Sequence, residues 1–346
     1  MKMKSVIVDK LKSFKNIESE IPPLEEGKAL IKVSYAGICG SDVLMYAVDS
    51  TVGTVIGHEF SGVVVDPGTS GLKPGDKVIA PETNPCGKCE YCLSGRDYLC
   101  PSLLSDSPGI SRPGAYGEYI QVRADLLIKV PDDYDMKLGA LVEPIAISLH
   151  AVNQMGLPKN KKVLIWGNGP VGAYAAFVAK RKLDCEVYMV GRNQPRVDFC
   201  NKLPYVDKCF SMKDPDFDAK LEAVAPGGFE YALDCVLAPG GMDQVLTKLK
   251  GGAHLSLVGA HSPKLDYNTG FLLSKGTIMY AANFFTLAEF KEAYQFTLDY
   301  PEELGMTITS TVALDADAIT AVYDKLFYQK GGSIEYKVLI DHSKKV

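Results

Sequence analysis

The residues best able to do chemistry in this chain fall into three groups, and the tightest is a run of cysteines. Cys86-x2-Cys89-x2-Cys92-x7-Cys100 brings four thiols together along the sequence. Thiolates at that spacing can wrap one tetrahedral ion. A closed four-sulfur shell suits zinc in a structural role and leaves no position for substrate. Disulfides or unrelated buried thiols are the competing reading, but three cysteines at two-residue gaps cannot pair comfortably within one turn. The second group is more open. Gly37-Ile38-Cys39-Gly40-Ser41-Asp42 offers a thiolate with a hydroxyl two residues on, and Gly57-His58-Glu59 offers an imidazole beside a carboxylate. Taken alone, Cys39 reads as a small core residue and His58-Glu59 as a surface pair. Beside the downstream cluster they meet the needs of a catalytic zinc: about three protein ligands and one exchangeable position.

The third group is Gly167-Asn168-Gly169-Pro170-Val171-Gly172, which follows the apolar run Val163-Leu164-Ile165-Trp166. A bare GxGxxG is a weak signal, but one placed at a strand-to-helix turn is much stronger. Gly167 makes the turn, Gly169 lets a pyrophosphate approach the backbone, and Gly172 allows close packing; Pro170 suits a first helical turn, which opens at Val171. The next strand, Glu186–Val190, ends where an NAD-specific site carries an Asp or Glu for the ribose hydroxyls. Here the chain reads Gly191-Arg192-Asn193, with Arg196 one turn later. Without the carboxylate there is no repulsion of a 2′-phosphate, and the forked donors of Arg192 can bind one. NADP(H) is therefore the favoured cofactor, with NAD(H) or dual use as the alternative. Arg196 reads equally well as a solvated helix residue.

These groups need elements to position them. Short strands separated by glycine and proline turns run through the first third, at Ala29–Val33, Phe60–Val65, Lys77–Ala80 and Tyr116–Val122. Helical spacing follows from Asp135 to Met155. From Lys161 strands and helices alternate, in the rhythm of a doubly wound parallel sheet built from βαβ units: strands at Lys162–Trp166, Glu186–Val190, Tyr231–Val236 and His254–Val258, helices at Val171–Leu183, up to Leu203 and near Met242–Leu249. Helices near Leu287–Leu298 and Ala316–Tyr328 and a strand Tyr336–Ile340 lie beyond it.

Composition excludes several classes of function. The 346 residues exceed what one hydrophobic core usually organises, so two domains are expected. A net charge of −5 gives no footprint for nucleic acid or an anionic membrane. The N-terminal segment lacks the apolar stretch of a signal peptide and no segment is long enough to span a membrane, so a cytoplasmic location is expected. Nine cysteines, an odd count with four in one cluster, suit a reducing compartment better than a disulfide framework.

GICGSD, GHEFSG, LKPGDKV, the four-cysteine cluster, LVEPIAISLHA and GNGPVG follow one another along nearly the whole chain. This ordered set resembles the zinc-containing medium-chain dehydrogenases. It looks most similar to the polyol branch with sorbitol, galactitol-phosphate and threonine dehydrogenases, because Glu143-Pro144 stands where alcohol dehydrogenases place a further cysteine ligand. The resemblance implies an α/β protein: a GroES-like β-rich catalytic domain (residues 1–144 and 286–346) and a Rossmann domain (145–285), with substrate in the cleft between them. It implies two zinc ions per chain. Cys39 and His58 would be fixed ligands of the catalytic one, with Glu59 and Glu143 sharing the carboxylate role. Ser41 would pass on the substrate hydroxyl proton, and Asp42 would orient an imidazole N–H or the loop. The metal lowers the pKa of an alcohol, and the nicotinamide takes the hydride. The loops between Cys39 and His58 and around VVVDPGTSG are shorter than the family's, which bears on substrate shape.

The expected reaction is oxidation of a secondary alcohol or its reverse, on a polyol, sugar or sugar phosphate, by a homodimer or homotetramer. Reduction of simple or aromatic carbonyls and a threonine-type oxidation are alternatives. A catalytically silent NADP-binding protein is the reading from another class; loss of Cys39 or His58 would mark it, and both are present. His150 reads as a helix residue, Cys185, Cys200, Cys209 and Cys235 as small core residues, and His261 as a loop histidine at the sheet edge.

Overall fold

The computed structural model describes residues 2–259, 267–326 and 335–345. Seven strands come first: β1 (Lys2–Lys10), β2 (Ser13–Glu20), β3 (Lys28–Gly37), β4 (Glu59–Asp66), β5 (Lys77–Ile79), β6 (Tyr119–Arg123) and β7 (Ile128–Lys129). Six follow in alternation with helices: β8 (Lys162–Trp166), β9 (Glu186–Gly191), β10 (Lys208–Ser211), β11 (Phe229–Asp234), β12 (Leu249–Leu257) and β13 (Ile278–Ala281). The chain ends on β14 (Ile308–Ala313) and β15 (Lys337–Asp341).

The chain divides into two units, Met1–Glu143 with Thr286–Val346, and Pro144–Phe285. In the first, β1 and β2 form an antiparallel pair, and a seven-stranded sheet runs β14-β15-β3-β4-β5-β7 with β6 also on β3. Period-two alternation sends Ala29, Ile31 and Val33 of β3 into a core shared with Val64, Ile120, Val338 and Ile340. The register matters for chemistry: Gly37 pairs with Glu59 on one side and with Leu339 on the other. The last strand, far away in sequence, is thereby laid against the segment that carries the reactive residues.

The second unit is a six-stranded sheet in the order β10-β9-β8-β11-β12-β13, parallel throughout. The order reverses beside β8, the crevice where open α/β sheets bind ligands. Leu164, Val190, Ala232 and Leu255 are fully or nearly fully buried in its core.

Several expectations shift. The strand read from Tyr116 begins at Tyr119, and the helical stretch Asp135–Met155 is two helices, Met136–Gly139 and Val142–Gln154. A Cβ on Gly139 would lie 2.7 Å from Ser61 Cβ and 2.9 Å from Ile79, so glycine there permits close approach to β4 and β5. The nucleotide-side helix starts at Pro170, one residue early. The helix from Ala316 is described as far as Leu326, and His261 lies outside the described residues. Among the described residues no helix is long and apolar enough to cross a membrane.

Candidate active site

Cys39 sits at the N-cap of helix Gly40–Tyr46, and the Asp42 carboxylate reaches back to accept its backbone N–H at 3.0 Å. The turn therefore fixes where the thiol points. Ser41 Oγ lies 3.2 Å from Cys39 Sγ and 3.4 Å from His58 Nε2. His58 precedes β4, after Gly57 at φ +98°, where a Cβ would run into the Tyr116 ring. Glu59 opens β4 beside Gly37, where a Cβ would run into its carboxylate. The ligand atoms of Cys39, His58 and Glu59 all lie within 4.8 Å of one another. Two segments that are weak signals singly thus converge. Glu143, in the first turn of helix Val142–Gln154, is outside that spacing but close enough for its charge to act on His58.

The surroundings hold more negative than positive charge. Asp42, Glu59, Glu82 and Glu143 are all buried. Burial, and then the neighbouring Glu82, hold the Glu143 carboxyl well above the ordinary carboxylate range. Glu82 is likewise pushed up to about 7, mainly by burial. Burial works against protonation of His58, yet Asp42, Cys39 and Glu143 outweigh it and raise its pKa well above the usual imidazole value. Glu59 Oε2 accepts from the buried Lys337 ammonium, which also donates to the Ile38 carbonyl at 3.3 Å. Glu59 Oε1 has no hydrogen-bond partner among the described residues. A thiol, an imidazole and an orphaned carboxylate oxygen, ringed by carboxyls that cannot all ionise, form a donor set that a divalent cation would complete.

Asp42 does more than hold the loop. Its Oδ1 lies 3.4 Å from His58 Nδ1, and its Oδ2 also accepts from Tyr116 Oη at 3.1 Å. Tyr116 Oη is 3.3 Å from Tyr323 Oη, so a fully buried polar chain backs the imidazole. Glu82, Lys337, Tyr116 and Tyr323 were not read from sequence as site residues. Glu82 carries a faint signal, standing just before the cysteine cluster. Lys337 carries none, since its partner is 278 residues away.

The four-cysteine group is built differently. The Sγ atoms of Cys86, Cys89, Cys92 and Cys100 lie within 4.8 Å of one another. Gly87 and Gly95 take φ +70° and +71° to let the loop close, and Cys89 caps the short helix Glu90–Leu93. All four thiols are free, as are the other five cysteines. Burial opposes it, but donors from Ser102 and the Cys86 N–H bring Cys100 down to about 6.

In the second unit Gly167 takes φ +122°, and a Cβ on Gly172 would run into the Gly167 carbonyl. A Cβ on Gly169 would meet no protein atom within 4 Å, so packing does not demand glycine there, and a ligand approaching the helix N-terminus would. Pro170 is at the first position of helix Pro170–Leu183, with Val171 next. Arg192 is exposed just past β9; Arg196 is half-buried in helix Gln194–Cys200, whose cap Asn193 accepts the Arg196 N–H.

Residues 25–132 match the model of the alcohol dehydrogenase GroES-like domain, and residues 170–299 that of zinc-binding dehydrogenases. The chain is 34% identical to 2-dehydro-3-deoxy-L-galactonate 5-dehydrogenase of Pseudoalteromonas atlantica, over 62% of this chain and 68% of that protein. It is 30% identical to L-threonine 3-dehydrogenase of the same organism, over 78% and 82%. The chain belongs to the zinc-containing medium-chain polyol dehydrogenase family. Galactitol-1-phosphate dehydrogenase from Escherichia coli has the same fold, with a TM-score of 0.82 at 25% identity over 98% of this chain and 100% of that one. Two further solved structures of this fold, each 24% identical, hold NADH (TM-score 0.86) and NADP (TM-score 0.85), so the fold accommodates either cofactor. Membership of this family makes the chain a zinc-dependent dehydrogenase acting on alcohol-type substrates, with a GroES-like unit and a Rossmann unit.

Proposed function

We propose that the chain oxidises a secondary alcohol of a polyol, sugar or sugar phosphate, or reduces the matching ketone, with NADP(H). The observation that carries this reading is the convergence of Cys39, His58 and Glu59 in place of an all-thiolate set, with Glu143 near enough for its charge to act on His58. Zinc held there supplies a Lewis acid that makes a substrate hydroxyl easier to deprotonate. Cys39 and His58 would be its fixed ligands. Glu59, already committed to Lys337 through one oxygen, would offer the other, and Glu143 would stand as the alternative carboxylate. Ser41 would take the substrate proton, which its Oγ lying near both the Cys39 thiol and His58 Nε2 supports. Asp42 would orient the imidazole from behind, its Oδ1 lying 3.4 Å from His58 Nδ1. Cys86, Cys89, Cys92 and Cys100 would hold a second, structural zinc.

Gly167, Gly169, Pro170, Val171 and Gly172 would receive the cofactor pyrophosphate, and Arg192, with Arg196 behind it, the 2′-phosphate. An exposed guanidinium after a strand that ends in glycine rather than a carboxylate supports NADP over NAD. Free thiols throughout support a reducing, cytoplasmic setting. The edge strand β13, with Ile278 48% exposed, supports a homodimer or homotetramer.

The test is a screen of polyols, sugar phosphates, short alcohols and threonine with both cofactors, read by absorbance of the reduced nicotinamide. Turnover confined to threonine, or to simple or aromatic alcohols, would replace the substrate class. A Cys39→Ala protein that kept full turnover and its four-cysteine metal would overturn the assignment of the catalytic zinc.

A further inference from the structure

The residue between the first two glycines of the nucleotide turn does something the glycine pattern does not require. Asn168 is 7% exposed, and its Nδ2 has no hydrogen-bond partner among the described residues. A buried amide N–H without a partner is costly, so an unpaired one next to a ligand site points to the ligand as its acceptor. Its position is equally specific. A Cβ built on Gly191 would run into Cγ, Nδ2 and Oδ1 of Asn168 together. The Asn168 amide therefore fills the space at the end of β9 from which a side chain at 191 would project. Gly191 has no left-handed backbone to explain it; the glycine is there because Asn168 occupies its side-chain volume.

Resting on the NADP reading above, we propose that Asn168 is a cofactor-specificity residue acting in two ways. Its Nδ2 donates to the 2′-phosphate that Arg192 neutralises. Its bulk beside Gly191 excludes the carboxylate that would select NAD. The phosphate oxygens supply the missing acceptor, and a hydrogen bond to a charged group is among the stronger kinds.

Isothermal titration with NADP, NAD and 2′,5′-ADP, on the zinc-loaded protein without substrate, tests this apart from turnover. Asn168→Ala should weaken NADP and 2′,5′-ADP about ten-fold and leave NAD within about two-fold, the loss expected for one charge-assisted bond. Asn168→Asp keeps the shape and replaces the donor with an anion, so it should weaken NADP further and still spare NAD. Gly191→Asp should improve NAD binding only when combined with Asn168→Ala. Unchanged NADP affinity, or equal loss for both cofactors, in the Asn168 variants overturns the donor role; a gain for NAD in Gly191→Asp alone overturns the exclusion role. Arg192→Ala separates the two levels. If it weakens NADP while the Asn168 variants do not, this inference fails alone. If Arg192→Ala leaves NADP unchanged and the unaltered protein binds NAD as tightly, the NADP reading fails and Asn168 falls with it.

Discussion

Replacing Glu82 by Gln should flatten the pH dependence of stability of the metal-free protein, and the size of the effect follows from the site. Glu82 is 1% exposed, its Oε2 has no partner among the described residues, and it shares its pocket with Glu143. Burial above all lifts its pKa from 4.5 to about 7. A carboxyl whose folded pKa is raised binds its proton more tightly in the native state. Its contribution is present below the unfolded value and is lost as pH rises through the folded one. Between pH 5 and pH 8 full ionisation costs the folded state roughly 3 kcal/mol, with Glu143 pulling the same way. For a protein of 346 residues that is about 4 °C in midpoint. Calorimetric scans of chelator-treated wild-type and Glu82→Gln proteins across that range read it, and the four-cysteine loop, common to both, cancels in the difference. The wild type should lose stability as pH rises while Glu82→Gln loses much less. Zinc should remove the wild-type loss by favouring the ionised carboxylates. Parallel curves for the two metal-free proteins would refute the reasoning.

Three other perturbations probe neighbouring features. Lys337→Met strands the Glu59 carboxylate in the interior and should cost about 3–5 kcal/mol in denaturant unfolding, with Glu59→Gln restoring part of it in the double variant. Gly37→Ala drives a methyl into the Glu59 carboxylate, so metal analysis should find occupancy lost at the Cys39 group and kept at the cysteine cluster; two retained equivalents would count against it. Tyr116→Phe removes only the hydroxyl that Asp42 Oδ2 accepts and should destabilise by about 1–2 kcal/mol, whereas Tyr116→Ala, which also empties a fully buried ring site, should cost about 3–5 kcal/mol.

What could be read from sequence was whatever the chain encodes locally. The cysteine cluster is a spacing, the nucleotide turn is a strand followed by glycines, and β8 is a continuous apolar run whose bounds match the structure. The β1–β2 pair was missed because its exposed face is rich in lysine and glutamate and only Val6, Ile7 and Val8 form an apolar run. The helical stretch after Asp135 read as one element because its apolar period continues through the break after Gly139, where both sides of the chain are buried. Glu82, Lys337 and Tyr323 escaped for another reason. Each acts through a partner brought near by sheet register or core packing, and no local pattern marks a lysine on the last strand as the counter-charge of a glutamate on the fourth.

That contrast separates the two candidate metal groups physically. The cysteine group is closed by one loop, two left-handed glycines and a short helix, so its geometry survives as long as that loop does. The Cys39 group depends on β3 and β4 in register, on β15 laid against β3, and on Tyr116 and Tyr323 behind Asp42. Its ligands lie close in sequence, but the groups that orient them and offset their charge reach from Asp42 to Lys337. A cation held by the Cys39 group would bind where burial has raised the pKa of the Glu82 and Glu143 carboxyls. It needs those ligands held so that one oxygen of Glu59 stays available while Lys337 holds the other. A single loop supplies neither condition; the buried carboxyls and the Glu59–Lys337 pair meet only in the assembled unit, and that is why the Cys39 group is built across it.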